Sequence, residues 1–151
     1  IPIRNSVTFI ITYNNLSVTG LGALLEEIRQ LRQKHSKTYQ RVWFDIPLLR
    51  QPAWQQITLL PESYQEIHQS NIEMMQKLSG PEEGYGAFRD FEIQKMQRNL
   101  AYWKKNANAS AKDKKDFYAF FKEHDRRRTT RFLNTFPEME EFWTECKNAH
   151  E

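Results

Sequence analysis

The sequence predicts a fold that passes from α/β to mostly α: a βαβ unit followed by about four helices. Two observations carry this prediction. Early in the chain, two short runs of β-branched and aromatic residues flank an amphipathic segment, and after Pro47 helical periodicity continues with no further run of that kind. We therefore divide the 151 residues into a βαβ segment, 1–60, and a helical segment, 61–151.

The βαβ unit consists of two predicted strands and the helix between them. The strands are predicted over Val7–Tyr13 and Arg41–Ile46, and a proline directly after the second prevents it from continuing. Between the strands, leucine and isoleucine recur at helical spacing over Leu21–Leu31, with Ser17 or Thr19 as the predicted N-cap. This order implies two parallel strands and a right-handed crossover, with open edges that expect further strands.

The helical segment begins after an apolar, proline-bounded loop. Ser110, followed three residues later by Asp113, is a predicted N-cap, and Pro137 is typical of a first helical turn. Ser79–Gly86 reads as a linker because it holds three of the five glycines. The predicted helices are Glu62–Leu78, Ala87–Lys105, Ala111–Arg128 and a last helix from Pro137.

Charge is distributed unevenly along the helical segment. Arg98–Arg131 holds eleven lysines and arginines against four acids, whereas Asn134–Glu151 holds five glutamates against one lysine. Oppositely charged neighbouring segments tend to pair. We therefore predict that Arg126–Arg128 pair with the glutamates that follow Pro137, because guanidinium matches carboxylate geometry, and nucleic acid is not the expected partner.

Composition also narrows the class of protein. No run approaches the roughly 18 apolar residues of a membrane span, so no membrane partner is predicted. The first residues lack the basic leader and apolar core of a signal peptide. Cys146 has no second cysteine to pair with and aligns with apolar residues, so we predict a buried thiol and a cytoplasmic location.

No complete catalytic or metal-binding motif is present. His124-Asp125 resembles part of a phosphohydrolase metal site, but only His35, His68 and His150 could add imidazoles. No two histidines have the i, i+3 or i, i+4 spacing typical of zinc ligands on a helix. We therefore assign no catalytic or metal residue and interpret His124-Asp125 as a polar cluster at a helix end.

The strand ends hold the candidate binding residues. The carboxyl ends of parallel strands line the site in barrels and open α/β sheets. Asn14 and Asn15 follow the first strand, and Asp45 lies at the end of the second between apolar residues. These three are the predicted binding residues. The alternative is that the two asparagines form a turn and Asp45 caps one.

Several long colinear stretches resemble the C-terminal part of radical S-adenosylmethionine (radical SAM) proteins with a twitch-type C-terminal extension. They span about Val7–Cys146 and read VTFIITYNNLSVTGLGALLEEIRQLR, QRVWFDIPLLRQPAWQQITLLPESY, GAFRDFEIQKMQRNLAYW and FYAFFKEHDRRRTTRFLNTFPEMEEFW. The resemblance implies that the βαβ unit closes a partial β/α barrel. It also implies that Asn14, Asn15 and Asp45 are cofactor-binding residues on the S-adenosylmethionine or substrate side.

The resemblance implies a 4Fe-4S cluster and S-adenosylmethionine in an intact parent protein, with the cluster on a CxxxCxxC motif. Only Cys146 is present, so no cofactor is expected in this chain alone and the chain is expected to be inactive. The expected partner is a missing N-terminal barrel portion of the same polypeptide, of about 200 residues. Self-association through the exposed strands is a second expected contact.

Two other interpretations stay open. The first is a non-enzymatic helical module that binds an acidic partner or nucleic acid through the Arg98–Arg131 surface. The second is a complete small hydrolase, which the lack of a nucleophile–base constellation disfavours.

Overall fold

The computed structural model describes residues 4–151. In this part of the chain, two parallel strands, β1 (Val7–Ile10) and β2 (Val42–Asp45), are joined by α1 (Leu21–His35). The helices after β2 are α2 (Ser63–Lys77), α3 (Asp90–Lys105), α4 (Ala111–Arg128), α5 (Phe132–Thr135) and α6 (Glu140–His150). The predicted passage from a βαβ unit to a mostly helical remainder is confirmed. None of these helices combines the length and apolar character that a membrane crossing requires.

The two strands pair in parallel, with Val7 beside Val42. Backbone hydrogen bonds continue beyond β1, since the Tyr13 N–H donates to the Pro47 carbonyl oxygen across 2.8 Å. Regular strand geometry therefore covers less than the predicted Val7–Tyr13, but the chain stays beside its neighbour over that whole length.

A single hydrophobic cluster joins the sheet to the helices. α1 packs against β2 through fully buried leucines and isoleucine, while α4 and α6 pack together through aromatic rings. Phe132 stacks on Trp143 with ring centroids 4.4 Å apart. The cluster includes residues from Tyr13 to Cys146, so segments 1–60 and 61–151 share one core.

The helix termini agree with the prediction at α4 and differ at α1. The Ser110 hydroxyl oxygen accepts a hydrogen bond from the Asp113 N–H at the start of α4. At α1 the N-cap is Gly20, which has no side chain to offer, and the predicted caps are used elsewhere. The Thr19 hydroxyl donates to Glu138 across 2.7 Å, because the start of the last helix lies beside this loop.

Two segments between helices differ from the prediction. The predicted linker Ser79–Gly86 forms 3₁₀ turns over Pro81–Gly86, fastened by an ion pair of 2.9 Å between Arg29 and Glu83. Gly84 has φ +56°, a conformation that favours glycine. Pro137 opens a 3₁₀ turn, and α6 itself starts three residues later at Glu140.

The two outer edges of the sheet differ. On β2, side chains occupy two of the three outward carbonyls: that of Val42 accepts from Arg32 Nε (2.9 Å) and Gln40 Nε2 (3.1 Å), and that of Ile46 accepts from Asn99 Nδ2 (3.1 Å). Phe44, between them, is buried.

On β1 the edge is open. Backbone groups of alternate residues in a parallel strand point to opposite sides, so those of Thr8 and Ile10 point away from β2. No other residue of the described chain bonds to them. Val7 is 56% exposed and Ile10 is 64% exposed.

A buried ion pair fixes the amino end of the sheet to the helices. Arg32 of α1 donates from Nη1 to Glu92 Oε1 of α3 across 3.0 Å and from Nη2 to Oε2 across 2.5 Å. The two side chains are 0% and 1% exposed. Glu92 Oε1 also accepts from the Arg89 N–H, which caps α3.

Candidate functional site

Asn14 lies just beyond β1 and forms a turn. Its Oδ1 accepts from the Leu16 N–H across 2.8 Å, and its Nδ2 donates to the Thr12 carbonyl oxygen across 3.0 Å. Both ends of the side-chain amide are therefore bonded locally. This is the geometry of an Asx turn, in which asparagine replaces a backbone group.

Asn15 joins the loop after β1 to the loop after β2. Its N–H donates to the Gln55 carbonyl oxygen (3.0 Å) and its Nδ2 to the Trp54 carbonyl oxygen (2.8 Å). The residue is 0% exposed, and Oδ1 is a buried acceptor without a partner in the described residues. A ligand could reach Asn15 only if the Trp54 loop moved away.

Asp45 is the most exposed of the three predicted binding residues. Its Oδ1 accepts from the Ile46 N–H across 2.8 Å and lies 3.7 Å from Lys95 Nζ of α3. The side chain is 53% exposed, so the Lys95 contact is a loose surface ion pair. Since Ile10 lies beside Asp45 in the ladder, all three predicted residues do lie at the same end of the sheet.

A buried polar pair lies directly behind this end. The Tyr13 hydroxyl and His68 Nδ1 are 2.7 Å apart, and His68 Nε2 is 2.8 Å from the Met96 carbonyl oxygen. A carbonyl oxygen can only accept, so Nε2 carries the hydrogen and Nδ1 accepts from Tyr13. Burial lowers the pKa of His68 and raises the pKa of Tyr13. Burial therefore favours the neutral imidazole, which connects the segment after β1 to α2 and α3.

The sequence analysis considered His68 only as a possible metal ligand and did not predict its burial. Ile67 is 37% exposed, whereas His68 is fully buried. The usable signal was spacing, since Tyr64, His68 and Ile72 recur every four residues and all three are buried.

The residues present do not fit an iron–sulfur cluster. Within residues 4–151, no group of three or more His, Cys, Asp or Glu side chains is placed to hold a metal ion. Cys146 is fully buried, and burial raises the pKa of its thiol to about 12. A 4Fe-4S cluster is held by several cysteine thiolates, which this chain does not contain.

His124-Asp125 belongs to a helix end. Asp125 Oδ1 accepts from the Thr130 hydroxyl (2.8 Å) and Oδ2 from the Phe132 N–H (2.7 Å). The carboxylate therefore connects the end of α4 to the start of α5. The interpretation of His124-Asp125 as a polar cluster at a helix end is confirmed.

The predicted partner of the three arginines was wrong. Arg126 and Arg127 donate to Glu123, each with a contact of 2.7 Å, and not to the glutamates after Pro137. Glu123 lies one helical turn back, so this pairing needs no approach of a second helix. Hydrogen bonds from Arg126, and to a smaller extent from Arg127, lower the pKa of Glu123 to about 2. Arg128 has no carboxylate partner in the described chain.

A groove runs along the C-terminal half of α4, and we name it the α4 groove. It has a volume of about 410 Å³ and is lined by Phe120, Glu123, His124, Arg127 and Arg128. The Phe120 ring is 49% exposed and lies against the Trp54 ring, with centroids 4.7 Å apart. The loop that holds Trp54 is the one bonded to Asn15, so the groove is connected to the carboxyl end of the sheet.

The carboxyl end of the sheet thus combines an exposed carboxylate, a turn and a sealed polar core. Tyr13 and His68 place a hydroxyl beside an imidazole, but both are fully buried and cannot reach a substrate. No model of a protein family, no curated protein and no solved structure matches the chain.

Proposed function

We propose that this chain is the C-terminal part of a radical SAM enzyme and is inactive alone. Its βαβ unit then forms the closing part of a partial β/α barrel, and its helices form the C-terminal extension. The family assignment rests on the colinear resemblance over Val7–Cys146. The single observation that carries the proposal is the contrast between the closed edge of β2 and the open edge of β1.

An open apolar edge is unusual in a complete domain. Proteins protect edge strands with charges, prolines, bulges or covering elements, because unpaired backbone groups attract other strands. β2 has such protection from three side chains, whereas β1 exposes Val7 and Ile10. The asymmetry supports a sheet that ends at β2 and continues beyond β1.

A mostly apolar groove of about 280 Å³ reaches the open strand. Val7 and Phe9 of β1, Val42 of β2 and Leu31 of α1 contribute to its lining, so it lies between α1 and the amino end of the sheet. In α/β folds each strand face is covered by helices. A further strand on β1, with its crossover helix in this groove, would cover both exposed features together.

The proposal divides the chemistry between two parts of one polypeptide. The 4Fe-4S cluster and S-adenosylmethionine belong to the upstream part, because one buried thiol cannot hold the cluster. This chain contributes the strand ends, where Asp45 and Lys95 face solvent. A reducing cytoplasmic location is part of the proposal and agrees with the free thiol of Cys146.

The test compares this chain with a longer chain that also contains about 200 residues encoded directly upstream. After anaerobic reconstitution with iron and sulfide, the extended protein should show cluster absorbance and cleave S-adenosylmethionine, and this chain alone should do neither. Stoichiometric cluster absorbance from this chain alone would contradict the proposal. An in-frame stop codon just before a start codon at this position would also end it.

Hydrogen exchange tests the edge directly. The Thr8 and Ile10 amides should exchange fast in this chain and slowly in the extended protein, because a new strand would accept their hydrogen bonds. The Tyr13 amide is the internal control, since it already donates to Pro47 and should be protected in both. Equal protection of Thr8 and Ile10 in the two proteins would show that no strand is added.

The helical interaction module has less support. Carboxylates neutralise several cations of the Arg98–Arg131 surface, including Lys112 through Asp116 and Lys114 through Glu145. The surface is therefore not a continuous positive face.

A further inference from the structure

The α4 groove combines an exposed aromatic ring with more guanidinium groups than carboxylates to pair with them. We propose that it binds a nucleotide, with the base stacked on Phe120 and the phosphate held by Arg127 and Arg128. The proposal does not depend on the radical-enzyme assignment, because it rests on α4 and Trp54 alone.

The aromatic half of the groove is a supported, half-open ring. Phe117 and Phe121 of the same helix are buried, whereas Phe120 is 49% exposed. The Trp54 ring lies against Phe120 at an interplanar angle of 34°, which fixes the phenyl ring in place. A held aromatic ring with free surface is the feature on which nucleic-acid bases stack.

In the charged half of the groove, arginines outnumber the carboxylates that could pair with them. Arg126 and Arg127 share the single carboxylate of Glu123, and Arg128 has no carboxylate partner in residues 4–151. The C-terminus of a helix carries only about half a negative charge, so it does not balance three guanidinium groups. Arginine forks match phosphate oxygens with two parallel hydrogen bonds, which makes phosphate a suitable anion.

Spacing places both halves on one face. Phe120, His124 and Arg127 follow at intervals of four and three residues, which aligns them along a helix. The volume of about 410 Å³ lies in the range typical of small-molecule sites, roughly 300–1,000 Å³. The ring and the guanidinium groups therefore lie on the same side of α4.

Glu123 has a defined part in this site. It occupies the guanidinium of Arg127, so a phosphate must compete with it for the same donors. Removing this carboxylate should therefore strengthen anion binding, whereas removing Arg128 should weaken it. A merely structural role for the cluster predicts no such opposite pair of effects.

The experiment measures fluorescence anisotropy of a labelled single-stranded oligothymidylate of about 12 nucleotides, titrated with the chain at several salt concentrations. Arg128→Gln should weaken binding about tenfold and lower the salt slope by about one. Phe120→Leu, which keeps apolar contact with Trp54, should weaken it about tenfold. Glu123→Gln should tighten it. Lys105→Gln, an exposed cation on α3, is the matched control and should bind like the original chain.

Competitors separate the sources of the nucleotide. Displacement by thymidine monophosphate would identify a free-nucleotide site, whereas a requirement for the oligonucleotide would identify single-stranded nucleic acid. Either result supports the groove if Phe120→Leu loses it and thermal melting shows an intact fold. The proposal is overturned by absence of binding to both probes, by equal loss in Lys105→Gln, or by equally good displacement with polyglutamate.

Discussion

Replacing Arg32 with methionine should lower the free energy of unfolding by about 3–5 kcal/mol, because it strands the Glu92 carboxylate in the core. The two side chains are 0% and 1% exposed, so water cannot replace the lost guanidinium. The Val42 carbonyl keeps its second donor, Gln40, so the loss arises mainly at Glu92. For a chain of this size, 3 kcal/mol corresponds to a fall in Tm of about 6–12 °C.

A second variant separates the burial of charge from the loss of packing. Arg32→Met combined with Glu92→Leu removes both charges, and apolar replacements of buried pairs are often neutral or stabilising. The double variant should therefore recover most of the stability, less about 1 kcal/mol for the cap that Glu92 gives the Arg89 N–H. Arg126→Met is the matched control, since the Arg126 side chain is 70% exposed and its ion pair should contribute nothing measurable.

The assay is urea unfolding followed in parallel by tryptophan fluorescence and circular dichroism, so that a two-state transition can be checked. A loss below about 1 kcal/mol for Arg32→Met would refute the reasoning. So would a double variant as unstable as the sum of its two single variants, because the two charges would then act independently.

Three further predictions concern single buried or capping groups. Burial lowers the pKa of His68 in the folded chain, so as the pH falls the unfolded state binds the proton first. The free energy of unfolding, measured in urea, should therefore decrease as the pH is lowered below about 6.5. His68→Gln should remove that part of the decrease. The buried Cys146 thiol, with a pKa raised to about 12, should react with a disulfide reagent at about pH 8 only slowly in the native chain and at once in urea, and fast native reaction would show an exposed thiol. Asp125→Ala removes the acceptor for Phe132 and Thr130 and should cost about 1–2 kcal/mol, measured as a urea midpoint shift; an unchanged midpoint would show that this cap is not needed.

The elements could be predicted from the sequence because their signals are local. α1 follows from leucines at helical spacing, and α4 follows from that spacing together with the Ser110 cap. Both strands follow from short runs of β-branched and aromatic residues. Their parallel pairing then follows from the connecting helix, whose length leaves little alternative.

The candidate site was harder to predict because its contacts join distant residues. Asn15 bonds to a carbonyl 39 residues away, and His68 bonds to a hydroxyl 55 residues away. A pattern within a helix marks His68 as polar and cannot show that Tyr13 and Met96 satisfy both ring nitrogens. The predicted partner of Arg126 was wrong for the opposite reason. Its carboxylate partner, Glu123, lies only three residues away in the same helix, whereas the prediction chose a more distant acidic cluster.

The closed edge of β2 limits how copies of this chain can assemble. Two copies that met through β1 would form a symmetric dimer, and each would then present β2 as its outer strand. The outward carbonyls of Val42 and Ile46 are already occupied by side chains of their own chain. A third copy would meet an edge with two of its three outward carbonyls already bonded, which opposes growth into a fibre, because a fibre needs two complementary surfaces on every copy.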